Sequence, residues 1–338
     1  MKINVKTGSG EYPVYVERGG LSRLGTLFPL DRKCMIVTDE NIPQSLVETV
    51  AGACGEAHRF LLAPGEHSKS LASFEAILKK MLEASFTRGD CVIALGGGVV
   101  GDLAGFVASA YLRGVDFYNI PTTVLSQVDS SVGGKVAVNF EGLKNMVGAF
   151  YPPKGVLVDL DTLATLPPRH VAAGLAEAVK MGLSLDASLF RIFEEGDPLK
   201  SLEAVIEKSL LAKAAVVEAD EREGGLRKVL NFGHTLAHAV ESESHKTNSP
   251  LYHGECVALG MIPMCAPEVR ARLIPVLEKL GLPTHCPYDY GTLLSAVEHD
   301  KKVKGASISV IREEKVGEYR IDTLPFTQFA EEVKGLTL

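Results

Sequence analysis

Short apolar runs, mostly β-branched, recur along the first half of the chain at residues 34–38, 60–62, 91–95, 117–120 and 156–158. Between some of them lie segments whose apolar residues return every three or four positions, residues 71–84 being the clearest. The short runs suit strands and the longer segments helices. Strand and helix in alternation build a parallel sheet wrapped by helices, so this half is predicted to be α/β. After about Pro167 the pattern changes: residues 169–183, 199–219 and 232–243 are long and amphipathic, and only residues 307–311 still resemble a strand. The second half is therefore predicted to be mainly α-helical. Tyr151-Pro152-Pro153-Lys154 and Leu166-Pro167-Pro168-Arg169 punctuate the change, giving predicted domains of 1–160 and 161–338.

Composition narrows the class. At 338 residues, 46% hydrophobic and 23% charged, the chain has enough apolar surface for two soluble globular domains. A formal net charge of -7 argues against nucleic acid as a partner, though an acidic protein can still hold a cationic pocket for an anionic small molecule. The six cysteines show no Cys-x-x-Cys spacing, which speaks against a disulfide scaffold or a zinc ribbon and fits a reducing cytoplasm. No apolar leader opens the sequence and no stretch approaches a membrane span, so a soluble cytoplasmic protein is expected.

Chemistry concentrates in a few segments. Gly96-Gly97-Gly98-Val99-Val100-Gly101-Asp102 follows the apolar run 91–95 and satisfies the G-x-G-x-x-G spacing. Such a turn lets a pyrophosphate approach backbone amides at a helix start, although a glycine-rich turn can also serve tight packing alone. The acidic ribose ligand expected about twenty residues onward is Asp116, with Asp39, at the end of run 34–38, as a competitor. Thr122, Thr123, Asp129, Lys135, Lys144 and Asn145 crowd hydroxyls and charges into one stretch, a composition that suits phosphate or polyol binding.

In the second half, Glu177 and Lys180 stand three apart amid apolar residues, either as an ordinary helix salt bridge or as a buried functional pair. His234 and His238 share a helix face, and His253 follows. Three of these imidazole and carboxylate groups would make a catalytic zinc set with positions left open. Lys213 and Arg227 have salt bridges as their plain alternative, and Asp300-Lys301-Lys302 a solvated charge run.

Taken together, Gly-Gly-Gly-Val-Val-Gly-Asp102, Asp129-Ser-Ser-Val-Gly-Gly-Lys135, Leu-Lys144-Asn145, Gly-Leu-Ala-Glu177-Ala-Val-Lys180, Glu223-Gly-Gly-Leu-Arg227, Asn231-Phe-Gly-His234 and His253-Gly-Glu255 closely resemble the 3-dehydroquinate synthase family over nearly the whole chain. The resemblance implies an N-terminal Rossmann-like nucleotide-binding domain, a mainly helical C-terminal metal and substrate domain, and a cytosolic homodimer. It implies NAD held by Asp39, Gly65, Glu66, Lys69, Gly98, Val99, Val100, Gly101, Asp102, Thr122, Thr123, Lys135, Lys144, Thr162, Leu163, Ala164 and Thr165, favouring Asp39 over Asp116. It implies Zn2+, with Co2+ as the alternative, on Glu177, His234 and His253. Asp129, Lys135, Asn145, Lys180, Lys213, Arg227, Asn231, His238 and Lys301 would meet the substrate, Lys302 being the alternative to Lys301, and Arg113 would reach across a dimer.

The family's substrate, 3-deoxy-D-arabino-heptulosonate 7-phosphate, is oxidised transiently at C5, loses phosphate, is reduced again and closes to 3-dehydroquinate, with no net redox change. Other NAD- and zinc-dependent sugar phosphate cyclases of the 2-deoxy-scyllo-inosose or valiolone type, a metal-dependent alcohol or glycerol dehydrogenase, and a non-catalytic metal-binding protein are the competing readings. The chain departs from the family at Val136-Ala137, at Leu236-Ala237, in the Pro64-Gly65-Glu66-His67-Ser68 loop, and at Pro263 and Pro267, which should kink or shorten the helix after His253.

Overall fold

The structure is a computed structural model, in which residues 1–8, 10–298, 303–304 and 307–334 are described. The chain divides into two compact units, Met1–Leu166 and Pro167–Leu338.

In the first unit the strands in chain order are β1 (Lys2–Thr7), β2 (Gly10–Glu17), β3 (Lys33–Asp39), β4 (Glu56–Leu62), β5 (Cys91–Gly96), β6 (Asp116–Pro121), β7 (Lys135–Phe140), β8 (Leu143–Phe150) and β9 (Gly155–Asp159). Seven of them form one sheet in the order β1-β2-β9-β6-β5-β3-β4. All neighbours run parallel except β1 with β2. The central strands are continuously apolar because both sheet faces are covered. Met35 and Val37 of β3 pack with Val92 and Ala94 of β5 against the helices Leu71–Glu83 and Gly98–Ala110. Their alternates Cys34, Ile36, Cys91, Ile93 and Leu95 pack on the other face with Leu24, Phe28, Val47 and Val50. Each such fully buried aliphatic side chain is worth about 1.5–3 kcal/mol.

From β3 the chain steps outward to β4 and then returns to the other side of β3 as β5. The strand order therefore reverses between β3 and β5, which is where open α/β sheets bind ligands, beyond the carboxyl ends of the strands. A separate hairpin, β7–β8, turns at Glu141 and Gly142, both with positive φ (49° and 76°), the geometry of a tight two-residue hairpin turn.

The second unit is built on the helices Pro168–Ser184, Ala187–Glu195, Leu202–Ala219, His234–Ser244, His253–Met261, Pro267–Lys279, Tyr290–Glu298 and Phe326–Lys334, with a three-stranded antiparallel sheet of Val303–Lys304, Ser307–Lys315 and Glu318–Pro325. Residues 173–184 of the first helix are buried without interruption, so this helix runs through the core. The two prolines act as the sequence predicts. The helix after His253 stops at Met261, Pro263 sits in a single 3-10 turn, and Pro267 opens the next helix. Among the described residues no helix is long and apolar enough to cross a membrane.

Candidate functional site

Glu177 lies in the middle of the buried helix Pro168–Ser184, with only 1% of its surface exposed. Two further helices aim at it. His234 is the first residue of the helix His234–Ser244, and His253 the first of His253–Met261. Nε2 of His234 is 3.5 Å, and Nε2 of His253 3.3 Å, from Glu177 Oε1. One potential ligand atom from each residue lies within 4.8 Å of the others. Neither oxygen of Glu177 makes a hydrogen bond of ordinary geometry, although Lys180, itself 2% exposed, forms an ion pair with Oε2. Burial alone would raise the Glu177 pKa, but the Lys180 ammonium and His253 hold it well below the usual carboxylate range.

The imidazoles are oriented from behind. Nδ1 of His234 faces the Phe232 carbonyl at 3.1 Å, and a carbonyl can only accept, so the proton sits on Nδ1 and Nε2 keeps its lone pair for a metal. Nδ1 of His253 faces Glu241 Oε2 at 3.4 Å. Burial would lower the His253 pKa, but the carboxylates of Glu177 and Glu241 raise it to about 10. Two carboxylates and two imidazoles gathered this closely fit a divalent cation better than they fit one another. His238 is close by but is not one of the three whose ligand atoms converge; its ring centroid is 5.6 Å from that of His234 and 6.4 Å from that of His253.

Other expected groups of this unit are buried cations or sit on an ordered loop. Lys213, on the helix Leu202–Ala219, is 5% exposed and Arg227 3%. The loop before Arg227 is organised by Asp220, whose carboxylate accepts the backbone N–H groups of Gly224, Gly225 and Arg227. Arg227 Nη1 donates to the Glu221 carbonyl at 2.5 Å, and Asn231 donates to Glu223. Lys301 and its alternative Lys302 lie outside the described residues.

In the first unit the glycine-rich turn leaves β5 and enters the helix Gly98–Ala110, so Gly98, Val99, Val100, Gly101 and Asp102 form its first turn. The turn serves packing too, since a Cβ on Gly96 would lie 2.6 Å from Val100 Cγ2. Asp39 ends the neighbouring β3 on the same edge of the sheet, where burial raises the pKa of its carboxyl. Asp116 begins β6, at the opposite edge from Gly96 and Pro121, and pairs with Arg32 at 2.8 Å. This removes Asp116 as a ribose ligand.

Thr122 Oγ1 and Thr38 Oγ1 are buried beside this edge without a hydrogen-bond partner among the described residues, as expected of hydroxyls that a ligand would satisfy. Lys69 Nζ contacts Asp102 Oδ2 and Asn145 Oδ1, both at 2.5 Å, and Asn139 Nδ2 donates to Glu66 at 2.8 Å, which ties the Gly65 loop to the β7–β8 hairpin. Asp129 lies in a π-helical turn, Ser126–Ser130, beside Thr123, whose hydroxyl pairs with Ser126. Asp102, Ser130, Ser131 and Lys135 line one small recess, while Lys144 sits on β8. Thr162 is committed internally, accepting from Gln127 and donating to the Asp159 carbonyl. Leu163 is buried, and Ala164 and Thr165 are exposed. Arg113 is exposed, with φ of 69°.

Sequence reasoning missed Glu241 and the pairing of Arg169 with Glu255. Glu241 stands seven residues after His234, two turns along the same helix face, which was the available signal.

Comparison with known proteins gives the family. The 3-dehydroquinate synthase N-terminal family matches residues 59–173, and the 3-dehydroquinate synthase C-terminal family residues 174–303. A 3-dehydroquinate synthase of Acetivibrio thermocellus is 40% identical, covering 94% of each chain. One from Enterococcus faecalis is 41% identical, covering 96% of each. Among solved structures, 2-deoxy-scyllo-inosose synthase complexed with carbaglucose-6-phosphate, NAD+ and Co2+ superposes with a TM-score of 0.87 at 24% identity over 99% of each chain. The 2-epi-5-epi-valiolone synthase of Streptomyces hygroscopicus subsp. jinggangensis 5008, with NAD+ and Zn2+ bound, gives 0.85 at 25% identity over 95% of each. A glycerol dehydrogenase from Schizosaccharomyces pombe shares only the fold, at 0.62 and 16% identity. With both family matches abutting and relatives this similar over almost their full length, the chain belongs to the 3-dehydroquinate synthase family.

Proposed function

We propose that this chain is an enzyme converting 3-deoxy-D-arabino-heptulosonate 7-phosphate to 3-dehydroquinate and phosphate, a phosphate-eliminating lyase reaction that uses NAD catalytically. The observation that carries the reading is the convergent set of buried Glu177 and His234 with half-buried His253, Lys180 paired at its edge, in a chain of this family. When bound, a divalent metal on those three residues supplies polarisation of a substrate hydroxyl, and NAD, held by the first unit, supplies a reversible hydride acceptor.

The chain's own residues do the rest. Lys180 keeps Glu177 ionised while remaining a donor toward substrate oxygen. Lys213 and Arg227, both buried, are suited to anionic groups, and the Asp220-ordered loop fixes Arg227 for a carboxylate that a simple alcohol substrate lacks. Asn231 and His238 orient hydroxyl and phosphate oxygens, and so do Asp129, Lys135 and Asn145 of the first unit. The proton lost when phosphate departs can go to the phosphate itself, so orientation and charge neutralisation carry most of the task. Gly65, Glu66, Lys69, the 98–102 turn, Thr122, Thr123, Lys144 and residues 162–165 are assigned to NAD, with Asp39 on its adenosine side. Zn2+ or Co2+ is the assigned metal, and a cytoplasmic homodimer with Arg113 reaching the partner's substrate is the assigned assembly.

The test incubates pure protein with the heptulosonate phosphate, substoichiometric NAD and Zn2+. Equimolar phosphate and dehydroquinate without NADH build-up is expected. Stoichiometric NADH would make the chain a dehydrogenase, and phosphate release only from a different heptulose or hexose phosphate would make it another cyclase.

A further inference from the structure

The residues just behind His253 form a clamp. Arg169, near the start of the helix that carries Glu177, directs Nε and Nη2 at Glu255, 2.7 and 2.8 Å from its two carboxylate oxygens. Glu255 lies two residues after His253, and its Oε2 accepts the Tyr252 backbone N–H at 2.7 Å, capping the helix His253–Met261 at its first turn. The Arg169 guanidinium also stacks on the Tyr252 ring, 4.2 Å from its centroid, with His170 against the same ring at 4.4 Å. Exposed ion pairs are usually worth little, but this one is bidentate and its carboxylate side chain is only 9% exposed.

We propose that Arg169 is a positioning residue for the metal centre, holding through Glu255 and Tyr252 the helix start that presents His253 to Glu177. The inference rests on the metal reading given above. Its physical content is a distance: Glu177 and His253 sit on different helices, and the Arg169–Glu255 fork joins those two helices only two residues from His253. Without the guanidinium, Glu255 keeps a single backbone partner, the helix start loosens, and the 3.3 Å approach of His253 to Glu177 is no longer enforced. A metal then has to order the ligand it binds.

The experiment titrates Zn2+ into metal-free protein against a chromophoric chelator, comparing wild type with Arg169→Ala and Arg169→Lys. About tenfold weaker zinc binding is expected for Arg169→Ala. Arg169→Lys should fall between, because an ammonium keeps the charge but not the fork. Guanidinium added below denaturing concentration should restore affinity in Arg169→Ala, a rescue that a merely structural role would not give. NAD affinity should match wild type in both variants. Wild-type zinc affinity in Arg169→Ala overturns this inference alone. Weakened binding that follows loss of helical signal and resists guanidinium overturns it as well. Wild-type protein that binds no zinc overturns the metal reading and the inference with it.

Discussion

Replacing Glu241 by glutamine should weaken zinc binding about 10–100-fold while leaving the helical content intact, measured by the same chelator competition and by circular dichroism. Glu241 is outside the convergent set of three, but its carboxylate faces His253 Nδ1 and is one of the two charges that raise the imidazole pKa. An amide keeps the shape and loses the charge that makes the ring a strong donor. His238→Ala should do the reverse: turnover collapses while metal content stays near wild type, because its ring lies outside the ligand set. If His238→Ala loses zinc, the His234-x-x-x-His238 pair is the true ligand pair. The sequence could not decide this by spacing, since four-residue separation puts both imidazoles on one helix face. Which of them meets Glu177 depends on how three helices converge, and only the family motifs anticipated it. Glu241 was readable as a same-face residue but carried no motif of its own.

The ligand-bearing helices converge because glycine lets them. A Cβ on Gly254 would lie 1.7 Å from the Ala173 carbonyl, and one on Gly260 2.1 Å from that of Gly233. Gly254→Ala should therefore push the helix His253–Met261 off Pro168–Ser184, costing about 1–3 kcal/mol in urea unfolding and lowering zinc affinity together. A second element carries a pH signature. Glu313, on the strand Ser307–Lys315, is fully buried, and burial pushes its carboxyl from the ordinary 4.5 up to about 7, with Ser184 pulling weakly the other way. Below about pH 4.5 both folded and unfolded chains hold that proton. As pH rises, the unfolded chain ionises first, so stability falls until about pH 7 and then levels, a loss of about 3 kcal/mol. Glu313→Gln should remove that contribution and raise stability at pH 8 relative to wild type, as read by urea midpoints at pH 5 and 8. An equal change in urea midpoint between pH 5 and pH 8 in both proteins would show instead that Glu313 gives up its proton in the fold as readily as in the unfolded chain.

Elements with both faces buried were legible, because unbroken runs such as Cys91–Gly96 have no competing period. Strands β1 and β2 were passed over, since only one face is covered and their apolar residues alternate with Lys, Asn and Glu. The β7–β8 hairpin was passed over because its exposed, lysine- and asparagine-bearing positions resemble a binding loop. Lys144 and Asn145 are on β8, so the residues that signal chemistry in the sequence are also the ones that hide the strand.

For the molecule as a whole, the order of the sheet decides the nucleotide reading. The glycine-rich turn occurs on the fifth strand, which in a linear reading counts against it, but the β4 excursion makes β3 and β5 neighbours and puts the Gly98 turn and Asp39 at one edge. Strand order is a tertiary choice that periodicity does not encode, so spacing alone leaves Asp116 and Asp39 equivalent; the family resemblance favours Asp39, and the pairing of β3 with β5 gives the physical reason. Because the metal ligands all belong to the second unit and the glycine-rich turn to the first, the two cofactors should fail separately. Asp39→Ala should weaken NAD binding, measured by calorimetry, by about tenfold, the cost of about 1.4 kcal/mol for one lost charge-assisted contact, with zinc affinity unchanged. His253→Ala should abolish tight zinc binding and the thermal stabilisation zinc gives, which for wild type at a hundredfold excess over Kd is about 2.7 kcal/mol, and leave NAD affinity in the metal-free protein as it was. His253→Ala should lose dehydroquinate formation, and Asp39→Ala should lose it only at NAD well below its weakened Kd, because a hydride must leave and return within one turnover. If instead Asp39→Ala turned over normally with its NAD affinity reduced, the nucleotide would be saturating despite the loss, and raising wild-type and variant through the same NAD titration would show the shifted midpoint directly.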